Sequence, residues 1–157
     1  PGHFNGMATV VEKFFNIIAP TIAFFGEKDL QQLQIVKALV KQMKSPIKVV
    51  GIPTIRENNG LAKSSRNELL SKGAKQEAIL IYNCLDYCKN NKEEGIVKLK
   101  SYIQNKFKEQ ENLKLEYAEI VTLDTMQPVE EWQGENKNAI CIAAYHSGVR
   151  LIDNIIL

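Results

Sequence analysis

Thr21-Ile22-Ala23-Phe24-Phe25-Gly26-Glu27-Lys28-Asp29-Leu30-Gln31-Gln32 is the stretch on which the fold turns. Its first five residues, β-branched and aromatic, read as a strand buried on both faces, and Gly26 ends it. Asp29 stands where a helix cap is needed, and Gln32, three places on, completes capping-box spacing. Leu30, Leu33, Val36, Leu39, Val40 and Met43 then recur at helical spacing and predict one core face. After the Lys44-Ser45-Pro46 break, Ile47 to Ile52 reads as a second buried strand. Strand, helix and strand joined this tightly imply a parallel βαβ unit with a right-handed crossover, so the class is α/β. Ligands of such sheets bind beyond the carboxyl ends of the strands. Gly26 to Asp29 and the segment after Ile52 are therefore expected on one rim.

Working outward, Met7, Val10, Val11, Phe14, Ile17 and Ile18 predict one buried face of a helix over Phe4 to Ala19, which Pro20 stops. The chain begins at Pro1 with no visible capping turn or preceding strand, and is expected to be a piece of something longer. Pro53 to Gly60 has loop chemistry, which sets an expected boundary between domains at 1–54 and 55–157. Beyond it, Ser65 and Glu68 have capping-box spacing. Ala78, Ile81, Leu85 and Cys88 mark one helical face, and Ile96, Leu99, Ile103 and Phe107 another. Alternation through Leu113, Leu115, Tyr117 and then Ile120 predicts a strand, and Ala139–Tyr145 and Val149–Ile156 flank His146-Ser147-Gly148 like a hairpin. The second part is expected to be a small α+β domain with an antiparallel sheet, its polar run Glu130 to Asn138 a solvated loop.

Twenty basic residues against 18 acidic ones leave a net charge of +2, so no whole-molecule field selects nucleic acid or an acidic membrane. Affinity for anions must be local. No apolar run reaches the roughly 20 residues of a bilayer span, and the expected compartment is the cytoplasm. Of Cys84, Cys88 and Cys141, the first two are four apart in a helical pattern and read as core thiols, a metal or redox role being the lesser reading. His3 and His146 have no cluster at metal-ligand spacing beside them, and no serine-histidine-acid signature is visible. The lysine-rich stretch from Lys89 to Lys108 reads as the wet face of a helix, because acids interrupt it.

Two places are built for anions. A strand ending in Gly26-Glu27-Lys28-Asp29 before a helix is one, and Ser64-Ser65-Arg66-Asn67 at an expected second helix start is the other. Arg66 in the first turn would face the positive end of the helix dipole, a placement that costs about a few tenths of a kcal/mol until an anion reverses it. Hydroxyls, helix-start N–H groups and a guanidinium can all donate to phosphate oxygens, with Lys28 adding a mobile charge. Two such sites point to a nucleoside triphosphate. Each alone has an ordinary reading as a serine cap or a surface lysine.

Gly2-His3-Phe4-Asn5-Gly6-Met7-Ala8-Thr9-Val10-Val11, Phe25-Gly26-Glu27-Lys28-Asp29 with Gln31-Gln32-Leu33, Gly51 to Glu57, Gly60-Leu61-Ala62, Ser64-Ser65-Arg66-Asn67 and Arg150 to Asn154 closely resemble the pantoate-β-alanine ligases, or pantothenate synthetases. The resemblance covers essentially the whole chain. It implies a remnant βαβ part of a Rossmann-like nucleotidyltransferase domain followed by a small lid domain. It implies ATP-dependent condensation of pantoate with β-alanine through pantoyl adenylate, magnesium with the nucleotide, and a homodimeric full-length enzyme. By motif, Gly26, Glu27, Lys28 and Asp29 resemble the nucleotide loop, Gln32 a pantoate contact and Ile55 an adenosine neighbour. Ser64, Ser65 and Arg66 resemble the phosphate holders, with Lys63 beside them where the family often has methionine. The family's histidine-x-glycine-histidine signature has no counterpart in these 157 residues. The chain alone is therefore expected to turn over slowly or not at all, and its first helix to leave apolar surface exposed. A non-catalytic nucleotide- or phosphate-binding module is the competing reading, and a structural interaction domain a third.

Overall fold

A computed structural model of the chain describes residues 2–134 and 137–157. The chain divides into two compact units, one ending at Thr54 and one spanning Ile55–Leu157. The first unit runs α1 (His3–Ile18), β1 (Ile22–Gly26), a short 3-10 turn (Glu27–Asp29), α2 (Leu30–Gln42) and β2 (Lys48–Ile52). β1 and β2 pair in parallel, from Ile22 opposite Lys48 to Gly26 opposite Ile52. The α/β class read from the sequence is the one observed.

Burial in this unit is one-sided. Phe15, Val36, Val40 and Ile47 form its centre, with Met7, Val11, Ala23, Phe25, Met43 and Val49 packed against them. β1 is thus not buried on both faces: Ala23 and Phe25 turn inward, whereas Ile22 and Phe24 remain exposed. In a two-stranded sheet the helices cover one face, and period-two alternation sends the other half of the side chains outward. α1 needs a similar correction. Its inward line is half-buried Met7 and Val11 with buried Phe15, spaced by four, while the expected Val10, Phe14, Ile17 and Ile18 face outward. The helix ends with Ala19 in the left-handed region at φ 47°, its N–H bonded to the Phe15 carbonyl, just before Pro20.

The second unit runs from a 3-10 turn (Ser65–Leu69) through α3 (Lys72–Asn90), another 3-10 turn (Lys92–Glu94) and α4 (Ile96–Lys108). β3 (Leu113–Thr122), β4 (Asn138–His146) and β5 (Val149–Ile156) follow. The three strands form an antiparallel sheet in the order β3-β4-β5. α3 lies on β4 and β5, and α4 on β3. Their predicted faces meet the sheet: Ala78, Ile81, Leu85 and Cys88 from α3 and Ile96, Leu99, Ile103 and Phe107 from α4 are all buried with Ile120, Ile140 and Ile142. Fully burying each such leucine or isoleucine contributes about 1.5–3 kcal/mol.

Local features of the sheet follow from sequence. β3 pairs Leu115 with Ala144 and Tyr117 with Ala143, leaving Glu116 as an extra residue in a bulge. The bulge shifts the inward phase from Leu113 and Leu115 to Ala118 and Ile120 and leaves Tyr117 exposed. His146 pairs with Val149 across a two-residue turn, with Ser147 at φ 49° and Gly148 at φ 78°. Two left-handed residues are what a tight hairpin with twisted strands requires. Asn138, expected in the solvated loop, opens β4 instead and is buried, while its Nδ2 donates to the Gly134 carbonyl. Glu135 and Asn136 of that expected loop lie outside the described residues.

Candidate functional site

Gly26 closes β1 beside Ile52, and the chain turns at once through Glu27-Lys28-Asp29 into α2. This junction lies beyond the carboxyl ends of two parallel strands, where a helix start presents N–H groups without intrahelical partners. Asp29 occupies the cap position of α2, yet its side chain makes no cap hydrogen bond. The expected capping box is therefore not formed. Residues 27–29 tighten into a 3-10 turn first, which places Asp29 at φ −96° and ψ 57°, away from the extended conformation a capping side chain uses. Lys28 and Gln32 are half-buried on this turn and on the first turn of α2.

Gly51 makes room for the loop. A Cβ built there would stand 2.8 Å from Oε1 of Glu27 and 3.0 Å from Cδ2 of Leu33. Glu27 thus folds back against the β2 backbone at Gly51, where an added side chain would make the Glu27 carboxylate and the Leu33 methyl shift.

In the second unit, Ile55 to Lys63 doubles back on itself. Arg56 bridges Ala62 in antiparallel fashion, the Lys63 N–H donates to the Ile55 carbonyl at 2.9 Å, and the Glu57 N–H donates to that of Leu61 at 2.8 Å. Ile55 and Lys63 are therefore brought side by side, both exposed. Gly60 sits at φ 92° with its α-carbon against the ring of Tyr82. Arg56 reaches inward. Its guanidinium forks onto Asp153, Nη1 to Oδ2 at 2.6 Å and Nη2 to Oδ1 at 3.1 Å, and lies 4.5 Å from the centre of the Tyr82 ring.

The Ser64-Ser65-Arg66 segment differs from its expected form. Ser64, not Ser65, is the cap, its Oγ accepting from the Arg66 N–H at 3.3 Å. What it caps is the five-residue 3-10 turn Ser65–Leu69, after which Leu70 is extended and Ser71 caps α3 through the Ala74 N–H. So short a turn has no sizeable macrodipole, and the expected unfavourable placement of Arg66 at a dipole end does not arise. Ser65 and Arg66 are exposed, and Asn67 beside them is buried with its Nδ2 donating to the Ala62 carbonyl at 3.0 Å.

The candidate residues thus form two groups. Gly26, Glu27, Lys28, Asp29 and Gln32 belong to the first unit; Ile55, Lys63, Ser64, Ser65 and Arg66 belong to the second. Arg56, Gly60, Asn67, Tyr82 and Asp153 had no site role in the sequence reading. One signal was available: Asp153 is the acid in the otherwise apolar run Leu151 to Ile156, interrupted besides only by Asn154, and a buried carboxylate needs a charged partner. Elsewhere, His146 is buried between Glu77, 2.9 Å from its Nε2, and Ser147, 2.9 Å from its Nδ1. Among the described residues no three or more of His, Cys, Asp and Glu cluster so as to hold a metal ion, and no helix is long and apolar enough to cross a membrane.

Comparison with known proteins matches the family model described as Pantoate-beta-alanine ligase to residues 1–156. The chain is 45% identical over 157 residues to a pantothenate synthetase of Christiangramia forsetii, covering 99% of this chain and 56% of the relative. It is 43% identical to one of Cytophaga hutchinsonii, covering 100% and 56%. Among solved structures, pantothenate synthetase from Thermus thermophilus aligns with a TM-score of 0.92 at 34% identity, over 99% of this chain and 56% of that one. A pantoate-beta-alanine ligase from Francisella tularensis, complexed with beta-gamma ATP and beta-alanine, aligns at 0.70 and 33% identity over 99% and 51%. The chain spans 56% of the length of the curated relatives named here.

Proposed function

Because the chain belongs to the pantoate-beta-alanine ligase family, we propose that its residues serve the ATP-dependent condensation of pantoate with β-alanine. The observation that carries this reading is the match through residues 1–156, which takes in both anion-ready segments at once. In the first step the pantoate carboxylate attacks the α-phosphorus, the bond to the bridging oxygen breaks, and pyrophosphate leaves pantoyl adenylate behind. In the second the β-alanine amine attacks the acyl carbon and AMP departs. Neither step needs a side-chain nucleophile.

Gly26, Glu27, Lys28 and Asp29 form the nucleotide loop, with Lys28 offsetting charge that gathers on the phosphate oxygens. Ser64, Ser65 and Arg66 hold the phosphates with hydroxyls and a guanidinium fork. Ile55 and Lys63, paired through their backbones, flank the nucleoside, and Gln32 contacts pantoate. The first unit is the carboxyl-terminal part of a Rossmann-like domain and the second a lid domain; orienting the reactants and keeping water from the adenylate supply much of the acceleration. Magnesium enters with the nucleotide; the described residues offer no acid cluster to hold it, so no step is assigned to it. The parent enzyme is a cytoplasmic homodimer. The 157 residues alone, without a histidine-x-glycine-histidine signature, turn over slowly or not at all.

Calorimetric titration of the chain with ATP and with pantoate, beside an assay of AMP release, tests the reading. Arg66→Ala is expected to weaken ATP binding about tenfold, equivalent to about 1.4 kcal/mol, and Gln32→Ala to weaken pantoate alone. ATP binding without pantoate binding would favour the non-catalytic phosphate-binding module. Full turnover by the isolated chain would refute the expectation of inactivity.

A further inference from the structure

We propose that Arg56 is a positioning residue: clamped by Asp153 and Tyr82, it sets the backbone from which Ser64, Ser65 and Arg66 project, without touching the ligand itself. The proposal rests on the nucleotide reading above for what that turn binds, and on the structure of the second unit for how the turn is held.

Arg56 has few donors to spare. Nη1 donates to the Gly60 carbonyl at 3.1 Å and to Asp153 Oδ2 at 2.6 Å, while Nη2 donates to Asp153 Oδ1 at 3.1 Å and to the Asn154 carbonyl at 3.4 Å. Those four bonds use all four hydrogens of the two terminal nitrogens. One face of the guanidinium is taken up by Tyr82, and the side chains of Arg56 and Asp153 are only 19% and 5% exposed. Asp153 is fixed in turn, because its Oδ1 also accepts from the Asn154 N–H at 2.8 Å. A guanidinium saturated in this way anchors backbone. Arg66, exposed on the turn, is the one placed to meet an anion.

The anchor connects to the turn through short links. The Arg56 backbone bridges Ala62, flanked by the Glu57–Leu61 and Lys63–Ile55 hydrogen bonds. The Ala62 carbonyl accepts from buried Asn67, and the Asn67 N–H donates to the Ser64 carbonyl at 3.0 Å. Ser64 to Arg66 is therefore held on both sides, by the Arg56 bridge before it and by Asn67 after it. Lysine in place of Arg56 keeps the charge but cannot fork onto the carboxylate or stack in a plane.

Arg56→Lys and Asp153→Asn in the 157-residue chain test this by amide hydrogen exchange and ATP titration. The Glu57, Lys63 and Asn67 amides are expected to exchange about tenfold faster or more, with the buried Leu99 and Ile103 amides of α4 unchanged, as selective local opening requires. ATP affinity should fall alongside. Unchanged exchange at those three amides, or acceleration only in step with Leu99 and Ile103, overturns the proposal, because the pair would then serve global stability alone. Should Arg56→Lys fail to fold, Asp153→Asn carries the same readout with a milder change. If the unmodified chain binds no ATP while the selective acceleration appears, the positioning role stands and the nucleotide reading falls.

Discussion

Oε2 of Glu77 lies 2.9 Å from Nε2 of His146, tying the first half of α3 to the last residue of β4. Asn112 adds a longer bond to the same carboxylate oxygen at 3.4 Å. The hydrogen bond to His146, foremost, and the one to Asn112 hold the Glu77 carboxyl below its ordinary value of 4.5, against an opposing desolvation effect. A carboxyl depressed on folding stabilises the fold above its unfolded value and loses that contribution as pH falls through the folded one. Urea denaturation at a series of pH values below neutrality is expected to show stability falling on acidification, with a shallower fall for Glu77→Gln. Parallel curves for the two proteins would remove Glu77 from the acid response.

How much of this was legible in the sequence depended on whether periodicity alone decided the outcome. The faces of α3 and α4 did follow from spacing, because each helix has one apolar stripe and one sheet to cover. α1 carries apolar residues on either side of its inward line, so period alone could not choose Phe15 over Phe14. In β3 the step from odd to even positions was the trace of a bulge at Glu116, visible as an irregular alternation but not assignable without the partner strand. Ser65 and Glu68 fitted a capping box, yet the competing cap at Ser71 starts the helix that packs. The exposed candidate residues were singled out because lysine, serine and arginine have chemistry that sequence displays. Their support was missed because Arg56 and Asp153 are 97 residues apart, and only the fold pairs them.

Gly60 illustrates the cost of disturbing that support. Its φ of 92° disfavours any side chain, and an added Cβ would fall 2.1 Å from Cδ1 of Tyr82. Gly60→Ala is expected to lose about 2–4 kcal/mol from strain and overpacking together. Combining it with Tyr82→Ala should relieve the clash and leave the backbone strain, so the double variant should lose less than the sum of the single losses. Strict additivity in denaturant titrations would show that the ring is not what the alanine meets.

The three thiols carry a chemical prediction. Burial pushes Cys84, Cys88 and Cys141 from an ordinary 9.0 up to about 12, and the Asp153 charge contributes at Cys141. At pH 8 a rise of that size lowers the thiolate fraction on the order of a thousandfold, and the thiolate is the reactive form. Iodoacetamide labelling followed by mass spectrometry should leave all three unmodified in the folded chain and alkylate them in urea. Labelling of Cys84 or Cys88 at the rate of an exposed thiol, without denaturant, would contradict their place in the core.

Val10, Phe14, Ile17 and Ile18 lie at helical spacing on α1 and are 51%, 54%, 80% and 65% exposed. Ile22 and Phe24 on β1 add to the exposed apolar surface of the same unit. Apolar surface gathered on one helical face favours association over solvation, because covering it releases ordered water. The 157-residue chain is expected to sediment with a coefficient that rises with concentration. Phe14→Lys with Ile17→Lys puts two like charges on that face while leaving the inward Met7, Val11 and Phe15 line untouched, so it should abolish the rise. Its unfolding free energy should stay within about 0.5 kcal/mol per substitution, the range for exposed positions. A concentration-independent coefficient for the unmodified chain, or association that survives both lysines, would show that this helix face is not what brings copies together.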